Sequence, residues 1–288
     1  MDFHCPVCRS ASRRLFQTCG YWIRQCDTCG HHFAELNDRE GHVSRCYGDE
    51  YFTRGGAGYA DYFREERLLV ARGRWYAHRL AKLCAPGSVL DIGAAAGFTL
   101  AGFREAGWMT QGIEPNATMA QHARERLGLE VEPATFETWQ TNRTFDLVLM
   151  LQVLPHFVDP ADALQKAARL VRPGGHLLIE TWDRESWTAR LSGSQWHEYS
   201  PPSVLHWFSR SGIARLARAA AFEQVATGRP SKWINAGHAK SVLRHKSEAS
   251  FFNRVALMVA NLIPDRVSVP YLGDDLFWAL FQRHPDAV

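Results

Sequence analysis

The period of the apolar positions changes along the chain, and each change marks a different element. From about Tyr62 to Cys84, residues Phe63, Leu68, Leu69, Trp75, Tyr76, Leu80 and Leu83 recur at roughly helical spacing, and Pro86-Gly87 ends the pattern. Short apolar runs and amphipathic stretches then alternate. Val89–Ile92 reads as a strand and Gly97–Ala106 as its crossover helix. Thr110–Glu114 is a second strand, Asn116 caps a helix reaching Leu127, and Leu129–Glu132 makes a short third strand. Phe145–Leu151 is nearly continuous in apolar residues, the pattern of a strand buried on both faces. A helix is expected over about Pro160–Val171, and Pro173-Gly174-Gly175 turns the chain into a strand His176–Thr181. Beyond these lie a helix near Ser209–Ala221, a strand near Phe222–Thr227, a helical segment near Phe251–Leu262 and a final strand within Asp275–Phe281. Alternating strands and helices predict a parallel sheet with crossover helices.

The first 60 residues do not share this alternation. Cys5-Pro-Val-Cys8 and Cys26-Asp-Thr-Cys29 are two C-x-x-C pairs separated by 17 residues, a spacing suited to a two-knuckle zinc site. Four thiolates suit tetrahedral zinc, Gly30 eases the turn after the second pair, and all-protein ligation leaves no position open for chemistry. Iron held as in rubredoxin would use the same ligands. His4, Cys19, His31 and His32 are poorer ligands by spacing, and Cys46 and Cys84 read as ordinary thiols. Such a small module cannot bury enough core to fold alone, so metal is expected to stabilise it. The expected division is a zinc ribbon over 1–36, a linker over 37–60 and a main domain over 61–288.

Composition narrows the class. The 288 residues are 46% hydrophobic and 22% charged, as in a soluble globular protein. No apolar run approaches the roughly 18 residues of a membrane span. The N-terminus has no secretory pattern, so a cytoplasmic protein is expected, and in a cytosolic chain the paired cysteines favour metal over disulfides. The net charge of +3 does not by itself imply nucleic acid. Arg229, Lys232, Lys240, Arg244, Lys246 and Arg254 form a local basic excess, either a solvated face or an attraction for a phosphate-bearing substrate.

The most informative stretch is Ser88–Gly97, a strand whose acidic residue, Asp91, precedes a glycine turn and a helix start. In open α/β sheets, ligands bind at the carboxyl ends of strands, where such turns expose backbone N–H groups. A dinucleotide fingerprint needs G-x-G-x-x-G, and Ala95 stands at its middle glycine. Glu114 ends the second strand, 21 residues beyond Gly93, where an acidic residue can accept hydrogen bonds from both hydroxyls of a ribose.

With these residues, the segment from about Arg74 to Thr181 resembles the core of class I methyltransferases dependent on S-adenosyl-L-methionine (SAM), including Leu170–Ile179 before the fifth strand. The implied fold is a Rossmann-like α/β sheet, mostly parallel, with the last strand antiparallel. More loosely, the N-terminal ribbon, Tyr47–Phe52, and Trp196, Pro202 and Leu205–Ser209 resemble a bacterial subgroup of sugar C-methyltransferases and small-molecule O-methyltransferases. The resemblance implies that Asp91, Gly93, Ala94 and Gly97 shape the methionine end of the cofactor pocket. It further implies that Glu114 holds the ribose, Thr135 and Phe136 flank adenine, and Leu151 and Gln152 close the site beside the methyl group. The chain departs from ubiquinone-type O-methyltransferases, whose Glu-x-x-Glu-His arrangement is thought to hold a divalent ion. Gln152-Val-Leu-Pro155-His156 keeps only the histidine, and magnesium wants oxygen ligands.

Methyl transfer depends on alignment and, for a hydroxyl, amine or carbon acid, on loss of a proton. His156 follows the fourth strand and is the first candidate base, with a cap or packing role as its alternative. His197 and His206 are weaker candidates within an aromatic acceptor-side insert over 182–208. This insert holds Trp182, Trp187, Trp196, Tyr199, Trp207 and Phe208, and suits either an acceptor pocket or a satellite core. A helical insert is expected over 236–265. The leading expectation is methyl transfer to a small molecule, an oxygen or carbon of a sugar or natural-product intermediate. A zinc-ribbon RNA methyltransferase is the alternative, but residues 1–80 carry 12 Arg against 10 acids, no strong basic footprint. The fourth-strand exit also has no Asn-Pro-Pro-Tyr-like motif for a flipped base. A SAM-binding scaffold without turnover is a third reading.

Overall fold

The computed structural model describes residues 3–36, 62–231, 233–235, 267–271 and 273–285, with the single positions 46, 240 and 264. Apart from these single positions, the expected linker 37–60 and helical insert 236–265 lie outside the described residues. So do the Tyr47–Phe52 link, the helical segment Phe251–Leu262, and Lys232, Arg244, Lys246 and Arg254.

Three antiparallel strands open the chain: β1 (Ser12–Thr18), β2 (Tyr21–Cys26) and β3 (His32–Ala34). Cys19 and Gly20 join the first two as a two-residue turn with both φ angles positive, at 48° and 81°, the tight hairpin geometry that matches strand twist. After a 3-10 turn over Tyr62–Glu65 comes α1 (Glu66–Leu80). The helix stops short of the expected Cys84 because Leu83 is 49% exposed and gains no burial from another turn.

The main sheet is then built by β4 (Ser88–Ile92), α2 (Phe98–Glu105), β5 (Met109–Glu114), α3 (Ala117–Leu127), β6 (Glu130–Pro133), β7 (Phe145–Leu151), α4 (Pro160–Leu170) and β8 (Val171–Trp182). An insert follows with α5 (Trp187–Ser192) and β9 (His206–Trp207), then α6 (Arg210–Ala219) and β10 (Phe222–Gly228). A ribbon of β11 (Trp233–Asn235) and β12 (Ser268–Pro270) precedes the last strand, β13 (Leu276–Arg283).

The seven-stranded order is β10-β13-β8-β7-β4-β5-β6. The pairs from β6 through β8 are parallel, whereas β13 runs antiparallel to both neighbours. The expected Rossmann-like sheet with its antiparallel last strand is therefore present. Pro173-Gly174-Gly175 proves to lie inside β8. Phe145 pairs with Val171 but Leu147 with His176, so Arg172–Gly175 bulges from the ladder, which Gly174 permits at φ 72°.

Alternate residues of each strand feed two helical layers. Leu90, Ile92, Val148, Met150, Leu177 and Ile179 pack toward α4 and α6, with Leu164, Ile213 and Leu216. Val89, Leu147, Leu149 and Leu178 pack toward α1–α3, with Tyr76, Leu80, Leu100, Phe103 and Ala123. Both layers leave the carboxyl edge of the sheet to loops, as a ligand site requires.

The insert 182–208 resolves as a satellite core. Trp196 and Trp207 are buried with Ile23 and Ala34 of the N-terminal strands, and Trp182 and Tyr199 border that cluster. Strand β9 pairs antiparallel with β3, so the sheet β1-β2-β3-β9 joins residues far apart in sequence. Trp187 alone of the expected aromatic set is widely exposed, at 71%. Among the described residues, no helix is long and apolar enough to cross a membrane.

Candidate active site and metal centre

Strand β4 ends in Asp91 and Ile92, and the chain then turns through Gly93, Ala95 and Gly97 at φ 76°, 47° and 80°. Gly93 is required twice over. Its φ is left-handed, and a Cβ there would meet Val153 Cγ2 at 2.6 Å, where the loop after β7 crosses the turn. At Gly97, also left-handed, a Cβ would meet Leu129 Cδ1 at 2.7 Å, so α2 begins flush against the next unit.

Glu114, at the end of β5, bends across this turn. One carboxylate oxygen accepts from Ala95 N–H at 2.9 Å and the other from Asn116 N–H at 2.8 Å. Asn116 in turn caps α3 by accepting from Met119 N–H at 2.9 Å. Glu114 and Asp91 are only 4% and 3% exposed. Burial pushes Glu114 up to about 7 against the pull of its two N–H donors. Burial, and then the charge of Glu114, push Asp91 up to about 8. Two neighbouring carboxyls raised in this way mark a site that gains from a cationic or hydroxyl-bearing ligand.

A pH dependence follows. The folded chain keeps protons on both groups that the unfolded chain releases near pH ~4. Stability of the unliganded protein therefore falls as pH rises from about 4 to about 8. Affinity for a ligand whose hydroxyls donate to Glu114 rises through about 7 to 8. Thermal melts with and without S-adenosylhomocysteine (SAH) at either end of the upper window should show the ligand-induced shift growing with pH.

The turn after β6 carries Thr135 and Phe136. Thr135 is half-buried, and its hydroxyl pairs with that of Thr138 at 2.8 Å. Phe136 is buried against Phe157, 5.6 Å between ring centroids, so most of its ring faces the core rather than a ligand. Lys166 of α4 donates to the carbonyls of Phe136, Glu137 and Trp139, pinning the turn from below. Lys166→Met keeps the stem but frees these carbonyls. It is expected to weaken SAH binding by about threefold to tenfold, through lost preorganisation, with an almost unchanged melting temperature.

At the end of β7, Leu151 is half-buried and Gln152 adopts φ 60°, rare for a residue with a side chain. Two bonds to Glu180 of β8 hold it. Gln152 N–H donates to the Glu180 carbonyl at 2.8 Å, and Gln152 Nε2 to the Glu180 carboxylate at 2.8 Å. Glu180 is fully buried and also accepts from the Arg72 guanidinium and the Tyr76 hydroxyl of α1. Sequence reading missed Glu180, Arg72 and Tyr76. The available signal was an acid inside an apolar strand and an Arg-Tyr pair four apart on a helix.

The candidate bases are placed differently from one another. His156 donates from Nδ1 to the Ser203 carbonyl at 2.6 Å and lies against the Gln152 carbonyl as well. Burial lowers its pKa despite these carbonyls and Glu198, which keeps it neutral at pH 7. His197, half-buried between Trp182 and Trp196, pairs through Nε2 with Glu198 Oε1 at 3.1 Å. His206 is the correction. It is 5% exposed and engages both ring nitrogens, Nε2 with the Phe157 carbonyl at 2.9 Å and Nδ1 with His31 Nε2 at 3.3 Å. It is built into the packing and offers no free nitrogen to an acceptor.

Cys5, Cys8, Cys26 and Cys29 converge, with all four sulfurs within 4.8 Å of one another. The contacts Cys5–Cys29, Cys8–Cys26 and Cys8–Cys29 measure 3.6, 3.4 and 3.5 Å. A tetrahedron with 2.3 Å zinc–sulfur bonds has edges of roughly 3.8 Å, so the cage fits such an ion after slight adjustment. Val7 N–H donates to the Cys5 sulfur, and Thr28 and Cys29 N–H donate to that of Cys26, as suits metal-bound thiolates.

The sheet order, the left-handed turn after β4 and the carboxylate that bridges it from β5 define the nucleotide-binding crevice of the class I SAM-dependent methyltransferase fold. Residues 62–227, more than half of the chain, match the family described as Methyltransferase domain, and the chain belongs to that family. It is 32% identical over 143 residues to a ubiquinone biosynthesis O-methyltransferase of Alkalilimnicola ehrlichii, covering 42% of this chain and 58% of that protein. It is 31% identical over 127 residues to the Yersinia pestis protein of the same name, covering 41% and 52%. The chain thus spans only about half the length of these curated relatives. The N-methyltransferase NodS of Bradyrhizobium japonicum WM9, solved in complex with SAH, shares the fold with a TM-score of 0.51 at 17% identity, over 82% of this chain and 99% of that one. A candidate methyltransferase of Bacillus halodurans C-125 does so with 0.54 at 15%, over 73% and 98%.

Proposed function

We propose that the protein transfers a methyl group from SAM to a small-molecule acceptor, at oxygen or carbon, and that zinc in the four-cysteine cage stabilises its N-terminal ribbon. The observation that carries the cofactor reading is the Glu114 bridge. Its oxygens are fixed by Ala95 and Asn116 N–H groups, and their remaining lone pairs suit a ribose diol beside the β4 turn. Asp91, Gly93, Ala94 and Gly97 would receive the methionine end, where the buried Asp91 carboxyl complements a cationic group. Thr135 and the turn held by Lys166 would border adenine. When bound, SAM supplies an electrophilic methyl group.

Leu151 and Gln152 would then limit the methyl-facing edge, with Gln152 fixed by Glu180. Holding an acceptor nucleophile in line is the main contribution such a site can make. His156, whose Nδ1 donates to the Ser203 carbonyl, and His197, whose Nε2 pairs with Glu198, remain the two candidate proton acceptors, and His156 also sets the loop. The relatives' name, ubiquinone biosynthesis O-methyltransferase, favours a hydroxyl on a small organic molecule, and a sugar or natural-product intermediate belongs to the same class.

The ribbon surface supports a small molecule over RNA. Arg9, Arg13, Arg14 and Arg24 are its only arginines, and each pairs with Asp159, Asp27 or Glu35. Cations already engaged in this way give little phosphate footprint. The deciding assay measures SAH release with panels of phenols, sugar nucleotides and total RNA. Turnover with a small molecule supports the reading, whereas turnover with RNA alone, or none with tight SAH binding, sinks it.

A further inference from the structure

We propose that the metal ribbon positions the methyl-edge loop Gln152–Phe157, and that His31 and His206 carry this positioning across the seam. The inference rests on the reading of that loop as the border of the transfer site, but its test does not need an acceptor.

Both knuckles reach the loop or its flank. Beside the first, Val7 packs against the cluster containing Leu154 and Phe157, and Arg9 pairs with Asp159 at 3.3 Å. Asp159 is also the N-cap of α4, accepting from Ala161 N–H at 3.0 Å. The second knuckle leads through Gly30, at φ 66°, directly into His31 and β3. Strand β3 then holds β9, with His32 opposite Trp207 and Phe33 opposite His206, and Ala34 N–H donates to the Leu205 carbonyl at 2.8 Å.

From β9 the connections run into the loop. Leu205 N–H donates to the Pro155 carbonyl at 2.9 Å, and His156 Nδ1 to the Ser203 carbonyl at 2.6 Å. His206 Nε2 meets the Phe157 carbonyl at 2.9 Å. A carbonyl only accepts, so His206 carries its proton on Nε2, and its Nδ1 accepts from His31 Nε2 at 3.3 Å. That leaves the His31 lone pair on Nδ1, the buried ring atom with no partner. The chain of donors therefore has one direction, from the residue following the second knuckle to the loop backbone. The His31 and His206 rings also stack, 5.5 Å between centroids, and His31 lies tilted 4.9 Å from Phe208.

A short ribbon whose order depends on metal thus supplies the edge strand and the donors that fix a loop on the other side of the seam. Val153 of that loop lies over Gly93, so its position bears on the cofactor turn as well.

Hydrogen–deuterium exchange on the full chain tests this. Stripping zinc with EDTA under reducing conditions should raise exchange at least about tenfold in peptides covering 152–157 and 203–208, while β4–β6 stay protected. Zinc-loaded His206→Leu should keep one zinc per chain and show the same loop deprotection. His31→Gln, whose amide can still donate to His206, should restore protection that His31→Leu removes, at unchanged zinc content and melting temperature. If His206→Leu fails to fold, the His31 pair decides. Exchange confined to the ribbon after metal removal, or equal loop protection in His31→Leu and His31→Gln, overturns the proposal. Absence of SAH binding would instead defeat the methyltransferase reading and leave this measurement intact.

Discussion

Glu114→Ala is expected to weaken SAH binding by well over tenfold, read by calorimetric titration. The substitution removes the acceptor for the ribose and also strands Ala95 and Asn116 N–H, both buried donors held by Glu114 oxygens. Each buried donor left without a partner costs about 1–3 kcal/mol, and part of that is paid in the turn that must receive the ligand. Glu114→Gln keeps the shape but turns one acceptor into a donor facing an N–H, so it should also bind poorly. Gly93→Arg should be at least as damaging, because its side chain must displace Val153 from the turn while adopting a left-handed φ. Unchanged affinity in both Glu114→Ala and Gly93→Arg would remove the cofactor from this crevice.

The second large effect is expected at the metal cage. Cys26→Ser should drop zinc from one per chain to nearly none and unfold β1–β3, seen as loss of zinc by elemental analysis and of protection in the ribbon peptides. The reasoning is one of scale. Structural zinc contributes on the order of 10 kcal/mol to folding of such modules. Around the cage the buried hydrophobic cluster is Cys5, Cys26 and Phe33, and from β2 and β3 Ile23 and Ala34 add packing on Trp196 and Trp207, far too little to replace it. Cys19→Ser is the control, since Cys19 is exposed in the β1–β2 turn and outside the cage. Full zinc content and an ordered ribbon in Cys26→Ser would show that the cage is not what holds β1–β3 together.

Much of this was legible in the chain because the signals are local. Asp91, Gly93, Gly97 and Glu114 occupy fixed offsets on strand ends, and the four cysteines occupy fixed offsets within knuckles. Alternation from Val89 to Thr181 sufficed for the sheet, since strands buried on both faces must be apolar throughout. What escaped is non-local. Strands β3 and β9 are two or three residues long, below any readable period, and exist because they pair with each other. His206 stood as a weaker candidate base because nothing in its neighbourhood announces His31, 175 residues away. Glu180 was hidden for the same reason, since Arg72 and Tyr76 lie on another element. The Pro173-Gly174-Gly175 turn was misjudged more simply. Its glycines permit a turn, but pairing of Val171 with Phe145 carries the strand past it.

The central claim is that the crevice at the ends of β4 and β5 is built for SAM rather than for a dinucleotide. Titration of the unmodified chain with SAH and, separately, with NAD tests it most directly. Saturable binding of SAH at one site per chain, with no heat from NAD, is the predicted result. Binding of NAD with none of SAH would contradict the account.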